Sequence, residues 1–374
     1  MKEYAKKINE EALGRFELIK YDKDTKHTLQ GAKYHIWSAP DDFFEEGVLL
    51  DEVVETDEDG VIWIEDLYFG KYYYQEIKAP YGYVKDDKIY EFEVNYIDDE
   101  TPIIEVDAEA FNQKAKGQLK LVKYNHDKSQ KLERAEYRIW SKGDENHKEG
   151  ELLDKKLATD ENGEIKVDEL QFGTYYYQEV NAPEGYLLDD TVGEVEIKYE
   201  NDETPVVEVL RDVVDKEPVG EIGLIKTFAK QKNITTEDIK KATLKNAVYE
   251  LYAKENITNK AGTITYYEKG EKVGSFKTDE KGITNRVENL PLGIYSIKET
   301  KAPEGCKINT TVYDVELKYK DQHTANISKT LDVEDEIIST PLTKTSDDTP
   351  IGAIVLLMIG ALSGSLILGI KRKN

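Results

Sequence analysis

Hydrophobic and polar residues alternate along short segments through most of the chain. On a strand of period two, Phe16, Leu18 and Lys20 fall on one face, as do Leu119, Leu121 and Lys123, and Ile222, Leu224 and Lys226. Tyr72, Tyr74 and Glu76 share a face, as do Tyr175, Tyr177 and Glu179, and Tyr295, Ile297 and Glu299. Turn signals break these segments, which predicts an all-β chain of sandwich domains. A second pattern closes the sequence. Ile351 to Ile370 is an uncharged run of 20 residues followed by Lys371, Arg372 and Lys373. At ~1.5 Å per residue it spans roughly 30 Å, the thickness of a bilayer's hydrocarbon core. The run predicts one C-terminal transmembrane helix, with 371–374 as a basic cytoplasmic tail. A buried core helix is the alternative. Gly360 and Gly364 form a GxxxG pair, a spacing too common in apolar segments to predict a dimer.

The chain also repeats itself. GRFELIKYD at 14–22 returns as GQLKLVKYN at 117–125 and, more loosely, as GEIGLIKTF at 220–228. GAKYHIWS at 31–38 returns as RAEYRIWS and NAVYELYA, and YYYQEIKAPYGY at 72–83 as YYYQEVNAPEGY and YSIKETKAPEGC. Three positions stay in step. Lys20, Lys123 and Lys226 are 103 residues apart, and Glu76, Glu179 and Glu299 follow them by 56, 56 and 73. A 17-residue insertion therefore lies within 229–294 of the third repeat. Asn112, Asp215 and Asp335 each stand 36 residues after their Glu. Asn9 precedes Gly14 by five residues, as Asn112 and Asp215 precede Gly117 and Gly220. Asn9 reads either as the end of an upstream repeat or as a linker residue. The first alternative makes the chain an internal start or a truncated product, and so explains why MKEYAKKINEEALG lacks the apolar core of a secretory signal.

Strand alternation turns a Lys, a Glu and an Asn or Asp of every repeat toward the core. Buried charges need partners or neutralisation. Burial lowers the pKa of an amine and raises that of a carboxyl group. A neutral Lys is a nucleophile, and a protonated Glu can donate to the Asn or Asp carbonyl and shuttle a proton. If the first and last strands are neighbours, proximity supplies most of the rate. The product is an amide cross-link, with ammonia lost at Asn112 and water lost at Asp215 and Asp335. A plain buried salt bridge is the alternative, and the chemistry alone leaves both open.

Charge and composition narrow the field. Lys plus Arg is 51 and Asp plus Glu is 76, a net charge of −25, which excludes binding to nucleic acid through phosphates. Cys306 is the single cysteine, so disulfides cannot hold the fold. It reads as core filler, since no His or Asn beside it forms a protease pattern. The five His are scattered without metal-ligand spacing, and neither metal nor cofactor is expected. Glu55, Asp57, Asp59, Gly60 and Asp66 mimic part of a calcium loop. The matching stretch of the second repeat opens with Ala158, and Asp160–Gly163 and Asp279–Gly282 read better as hairpin turns between strands.

The G-x-x-x-L-x-K opening, the E-x-x-A-P-x-G-Y box and the closing Asn or Asp resemble the SpaA/Cna B-type (prealbumin-like) domains of Gram-positive pilins and surface adhesins. The resemblance covers 14–338. It implies self-catalysed isopeptide bonds Lys20–Asn112, Lys123–Asp215 and Lys226–Asp335, with Glu76, Glu179 and Glu299 as catalytic residues. The third repeat departs from the pattern at Cys306, which replaces the Tyr of the box, and through its insertion. The tail is similar to a sortase signal whose family motif is LPxTG. Here the sequence is Leu342-Thr343-Lys344-Thr345-Ser346, with proline and glycine both replaced. If a sortase accepts it, cleavage falls between Thr345 and Ser346 and Thr345 joins peptidoglycan. Otherwise the protein stays in the membrane.

The expected organisation is a linker or repeat remnant at 1–13, and Cna B-type, Ig-like or prealbumin-like domains at 14–116, 117–219 and 220–338. A spacer at 339–350, the helix at 351–370 and the tail at 371–374 follow. The leading function is an extracellular stalk or pilin-like subunit anchored at its C-terminus, with sortase, peptidoglycan and other surface or pilus subunits as partners. The alternative is an adhesin whose third domain binds a host protein or glycan near 229–270, where the insertion offers loops. No site supports an enzyme acting on an external substrate. The Y-P-K motif that polymerises shaft pilins of this family does not occur.

Overall fold

A computed structural model describes residues 12–40, 47–50, 53–98, 100–143, 150 and 152–340. The chain divides into two compact units. One holds 1–124, 131–181 and 189–214, and the other holds 125–130, 182–188 and 215–374. Each repeat has its own apolar core, built around Phe16, Leu18 and Tyr34 in the first, Leu119, Leu121 and Tyr137 in the second, and Ile222, Leu224 and Tyr249 in the third.

The first repeat is a sandwich of two sheets. In one sheet the order is Val61–Leu67, Leu13–Asp22, Ile103–Lys114 and Tyr83–Val84; in the other it is Val54–Glu55, Lys33–Ser38, Gly70–Lys78 and Ile89–Val94. The second repeat pairs Glu164–Leu170, Lys116–Asn125 and Val206–Asp215 in one sheet, and Leu152–Ala158, Glu136–Ser141, Gly173–Asn181 and Gly193–Ile197 in the other. The third pairs Val287–Leu290, Val219–Phe228 and Asn326–Asp335, then Lys272–Lys277, Val248–Ala253, Gly293–Lys301 and Val312–Leu317. Every repeat thus sets its opening strand beside its closing strand. In the first and third repeats that pair runs parallel, which no local hairpin can produce and which the long intervening chain permits.

Burial alternates strictly along the opening strand Leu13–Asp22, as the period-two pattern requires. The glycine that starts each repeat is there for a close approach. A Cβ on Gly14 would stand 2.4 Å from Val94 Cγ1, one on Gly117 2.7 Å from Ile197 Cγ2, and one on Gly220 2.6 Å from Leu317 Cδ1. A side chain at any of the three would drive the two sheets apart.

Two expectations need correction. The Asp-led turns are real, and an antiparallel bridge between Thr278 and Thr284 flanks the one at Asp279, but the one at Asp160 is not a hairpin between paired strands. Asp57, Asp160 and Asp279 each accept, at Oδ1, the backbone N–H groups two and four residues on. The turn at Asp160 then joins Leu152–Ala158 in one sheet to Glu164–Leu170 in the other. The carboxylate closes the turn locally, while the opening strand captures the outgoing segment. The same bonds account for the apparent calcium loop. The insertion is also divided. Lys226 precedes Tyr249 by 23 residues, against 14 for Lys20 and Tyr34, so about half of it lies there. This half carries a short helix, Thr236–Lys241, started by a capping box between Thr235 and Asp238. The rest includes a small hairpin of Ile257–Thr258 and Thr265–Tyr267.

Among the described residues no helix is long and apolar enough to cross a membrane. The expected span at 351–370, Asn9 and the sortase-like residues Leu342, Lys344, Thr345 and Ser346 lie outside the described residues.

One buried threonine clips each sandwich at the same place. Thr159 Oγ1 donates to Leu132 O and accepts from Ala135 N, and Thr56 does the same with Leu29 and Ala32. Thr159→Val keeps the shape but strands both backbone groups, which costs about 1–3 kcal/mol. A thermal midpoint unchanged by Thr159→Val would contradict this role.

Candidate functional site

The opening strand of each repeat delivers its lysine to the interior. Lys20, Lys123 and Lys226 are 0–1% exposed and rank with the largest fully buried side chains. Beside each opening strand lies the closing strand, ending at Asn112 or near it, at Asp215 and at Asp335. The facing sheet supplies the Glu from Gly70–Lys78, Gly173–Asn181 or Gly293–Lys301. Glu76, Glu179, Asn112, Asp215 and Asp335 are all within 3% of complete burial, and Glu299 is 6% exposed.

In the first repeat Lys20 Nζ lies 3.0 Å from Glu76 Oε1 and donates to Tyr34 Oη at 2.8 Å. Glu76 Oε2 accepts Asn112 Nδ2 at 2.7 Å and the backbone N–H of Asp86 at 2.7 Å. Asn112 Nδ2 also donates to Val84 O at 2.8 Å. One carboxylate therefore bridges the amine and the amide nitrogen. In parallel register Lys20 stands opposite Ala110 and Asp22 opposite Asn112. Lys20 and Asn112 thus share a face two residues out of step, within reach for a long side chain. Burial pulls the Lys20 amine below the ordinary lysine range, and Glu76 opposes that shift. Burial, with the charge of Glu76, pushes the Tyr34 phenol far above its ordinary value, so it stays neutral.

The third repeat closes more tightly. Lys226 Nζ is 2.9 Å from Glu299 Oε1 and 2.5 Å from Asp335 Oδ1, and donates to Tyr249 Oη at 2.6 Å. Glu299 Oε2 accepts the backbone N–H of Asn309. Two carboxyl groups facing one ammonium in a dry site cannot both ionise cheaply. Burial raises the Asp335 carboxyl to about 6, Lys226 opposes the rise and Glu299 adds to it. Burial likewise pushes the nearby Cys306 thiol up to about 11. It is therefore protonated at neutral pH, as a core residue is.

In the second repeat Lys123 Nζ lies 2.9 Å from Glu179 Oε1 and donates to Tyr137 Oη at 2.9 Å. Glu179 Oε2 accepts the backbone N–H of Asp189. Asp215 is buried at the end of its strand. A cavity of about 220 Å³ lies at this lysine, lined by Lys123, Tyr137, Tyr177, Glu179 and Gly193 among others. Tyr90 of the first repeat and Tyr313 of the third hold the register position of Gly193. At Gly193 the Tyr177 ring takes that place: a Cβ there would stand 2.2 Å from Tyr177 Cζ.

Sequence reasoning missed two contributors: the tyrosine that accepts from each lysine, and the backbone N–H ten residues after each Glu. The first had a signal, because Tyr34, Tyr137 and Tyr249 occupy the same place in the repeated GAKY, RAEY and NAVY segments. The second had none, since a backbone donor leaves no trace in residue type. Among the described residues no group of three or more His, Cys, Asp or Glu could hold a metal ion.

A family model for the SpaA prealbumin-like fold domain matches residues 14–110, 117–211 and 230–331. No curated protein matches the chain. Among solved structures, the Bacillus anthracis TIE protein is similar at 28% identity and a TM-score of 0.52, over 87% of this chain and 51% of that one. The chain therefore spans about half the length of that relative. BcpA, the major pilin subunit of Bacillus cereus, aligns at 19% identity and a TM-score of 0.32, over 87% of this chain and 99% of its own. A streptococcal ancillary pilin aligns at 18% and 0.26, over 87% and 99%.

The raised Asp335 carboxyl sets a pH dependence in a chain that cannot cross-link there. Folding lifts this acid from 3.8 to about 6. The stability it contributes is therefore fully present below 3.8 and is lost as pH rises through 6. In Lys226→Met the amine that opposes the rise is gone, so the loss extends to higher pH. The unfolding midpoint of Lys226→Met should fall from pH 4 to pH 8 more steeply than that of Lys226→Met/Asp335→Asn. Parallel profiles would show that Asp335 does not titrate in this way.

Proposed function

The chain belongs to the SpaA family of prealbumin-like fold domains, and from that premise we propose that it is a force-bearing stalk at the surface of a Gram-positive cell. Each of its three domains, 14–116, 117–219 and 220–338, is closed by a self-made isopeptide bond. One observation carries this reading: the Lys226 amine lies 2.9 Å from the Glu299 carboxyl group and 2.5 Å from that of Asp335, and all three are buried.

The chemistry follows from the contacts. In the third domain Lys226 yields a proton to the carboxyl pair, becoming a neutral amine beside a neutral Asp335. The amine nitrogen attacks Asp335 Cγ, the C–O bond breaks and one water leaves. Glu299 holds the proton in transit and ends as it began. In the first domain Glu76 takes the proton from Lys20 on one oxygen, and its other oxygen faces Asn112 Nδ2. The nitrogen that must leave is the one it can protonate. The C–N bond of the side-chain amide breaks, and ammonium departs in place of the lysine ammonium. The neutral tyrosine holds the amine in place, which is where proximity supplies the rate. The equal sequence spacing assigns Lys123, Glu179 and Asp215 the same roles.

The mechanical consequence comes from where the bonds fall. Lys20 and Asn112 stand near the entry and exit of their domain, and Lys123 follows 11 residues later. Tension passes through the short bridges and bypasses the chain between. By analogy with a disulfide, closing a loop of this length adds on the order of 4–5 kcal/mol. An amide, unlike a disulfide, cannot be reduced. The apolar run at 351–370 and its basic end anchor the stalk. Leu342, Lys344, Thr345 and Ser346 offer a sortase a route to peptidoglycan, and neighbouring surface or pilus subunits are its further partners.

Stretching single molecules of the full chain tests this. The wild type should extend without releasing the chain between Lys20 and Asn112. Glu76→Ala should release that segment, roughly 300 Å at about 3.3–3.6 Å per residue. Equal release from both proteins would sink the reading.

A further inference from the structure

The compact unit built on the third repeat also takes in Asn125–Gln130 and Ala182–Leu188 of the second. A cleft of about 540 Å³ opens within this unit, in the size range of small-ligand sites. Asp127, Glu217, Asn259, Ile264, Tyr266 and Tyr267 stand in its wall, and no member of a cross-linking trio does.

Hydrogen bonds hold that wall in shape. Asn259 is 3% exposed; its Nδ2 donates to Thr263 Oγ1, and its Oδ1 accepts the N–H groups of Thr263 and Ile264. These bonds close the small hairpin that carries Ile264, Tyr266 and Tyr267. The hydroxyls of Thr263 and Ser129 share a hydrogen bond of 2.8 Å, which ties the hairpin to the loop of Asp127. Asp127 Oδ1 accepts Ser129 N, and Glu217 Oε1 accepts Lys260 N at 2.8 Å. Among the described residues the hydrogen bonds of both carboxylates go to uncharged groups. Burial raises the Glu217 carboxyl above its ordinary value; the Lys260 N–H opposes the rise and the charge of Asp127 adds to it. Burial, then the charges of Glu217 and Asp127, raise the Tyr266 phenol. The two carboxylates and this ring therefore lie within electrostatic reach of one another.

A second observation concerns an orphaned hydroxyl. In the first repeat Tyr83, which ends the box, donates to Asp22 Oδ2 at 2.7 Å. The counterparts 103 residues on are Tyr186 and Asn125. Asn125 lines the cleft, and its amide turns to Ser129 Oγ and Gln130 N instead. Tyr186 is 2% exposed, and its hydroxyl has no hydrogen-bond partner among the described residues. The charges that act on it most are those of Glu217 and Asp127. A buried polar atom without a partner is costly. This one leaves an acceptor beside two carboxylates that no cation neutralises.

We propose that the cleft binds a primary ammonium group on an apolar stem, as a lysine side chain carries, with Asp127 and Glu217 as its anionic partners and Tyr266 as the ring it packs against. Charge-assisted hydrogen bonds and the face of a tyrosine are what such a group seeks. Lys216 and His126 also line the cleft, but one lysine against two carboxylates leaves the wall acidic with His126 neutral. That balance disfavours an anion. A neutral sugar could use the ring and the amides but would leave the charge of Glu217 unmet. The inference is independent of the cross-links and of the stalk.

Calorimetric titration of the full chain with N-acetyl-lysine amide is the test. N-acetyl-norleucine amide, which has the stem without the charge, is the control and should not bind. Glu217→Gln and Asp127→Asn keep the oxygens that accept Lys260 N and Ser129 N, so the thermal midpoint should hold. Each should nevertheless weaken the lysine probe about tenfold or more, the loss of one charge-assisted contact. Tyr266→Ala should weaken it as well. Cadaverine separates a free amine from a peptide-borne one, and binding of either amine sustains the proposal. No binding of either at millimolar concentration, equal binding of the norleucine probe, or full affinity in the Asp127→Asn/Glu217→Gln double variant would overturn it. So would lactose binding more tightly than either amine, which would give the cleft to a sugar.

Discussion

A lysine amine buried against a glutamate is the constraint on which each repeat is built. Taking an ammonium and a carboxylate out of water costs several kcal/mol for each ion even after relaxation. Hydrogen bonds to a tyrosine and a backbone N–H offset part of that cost. A buried ion pair is weak evidence for stability in its own right, because well-packed apolar residues of the same volume often serve as well. Three such pairs at the same register position need a reason beyond packing. The proposed condensation would supply one: it replaces the buried ammonium with a neutral amide and fastens two adjacent strands covalently.

The same constraint orders the rest of the fold. The opening and closing strands must be neighbours for the amine to meet its acceptor, and the intervening chain must fill a second sheet to seal the site. Glycine at the start of each repeat lets the sheets approach, and the carboxylate-closed turns pass the chain between them. The repeats differ beside the lysine. A cavity lies beside Lys123 and Glu179 in the second, where Gly193 stands at the register position of Tyr90 and Tyr313.

Much of this was legible in the residues. Period-two alternation gave the strands and the inward face of each Lys and Glu, because burial of every second side chain leaves a direct mark on composition. The lysines 103 residues apart and the constant 36 residues from each Glu to its Asn or Asp marked the trio. What stayed hidden depends on long-range pairing. The turn at Asp160 has the residues of a hairpin, and only the capture of its outgoing strand by Lys116–Asn125 sends the chain across to the other sheet. Tyr34 was visible as a repeated letter but not as the lysine's acceptor, since its partner lies across the core. The insertion was counted correctly as one length, yet it serves two places, one a helix whose Asp238 also accepts Thr340 N.

The most direct test of the account is the intact mass of the purified full chain. The wild type should fall short of its sequence mass by one ammonia and two waters, and Glu76→Ala should regain the ammonia alone. A wild-type mass equal to that of the sequence would contradict the account, leaving three buried ion pairs and no cross-link.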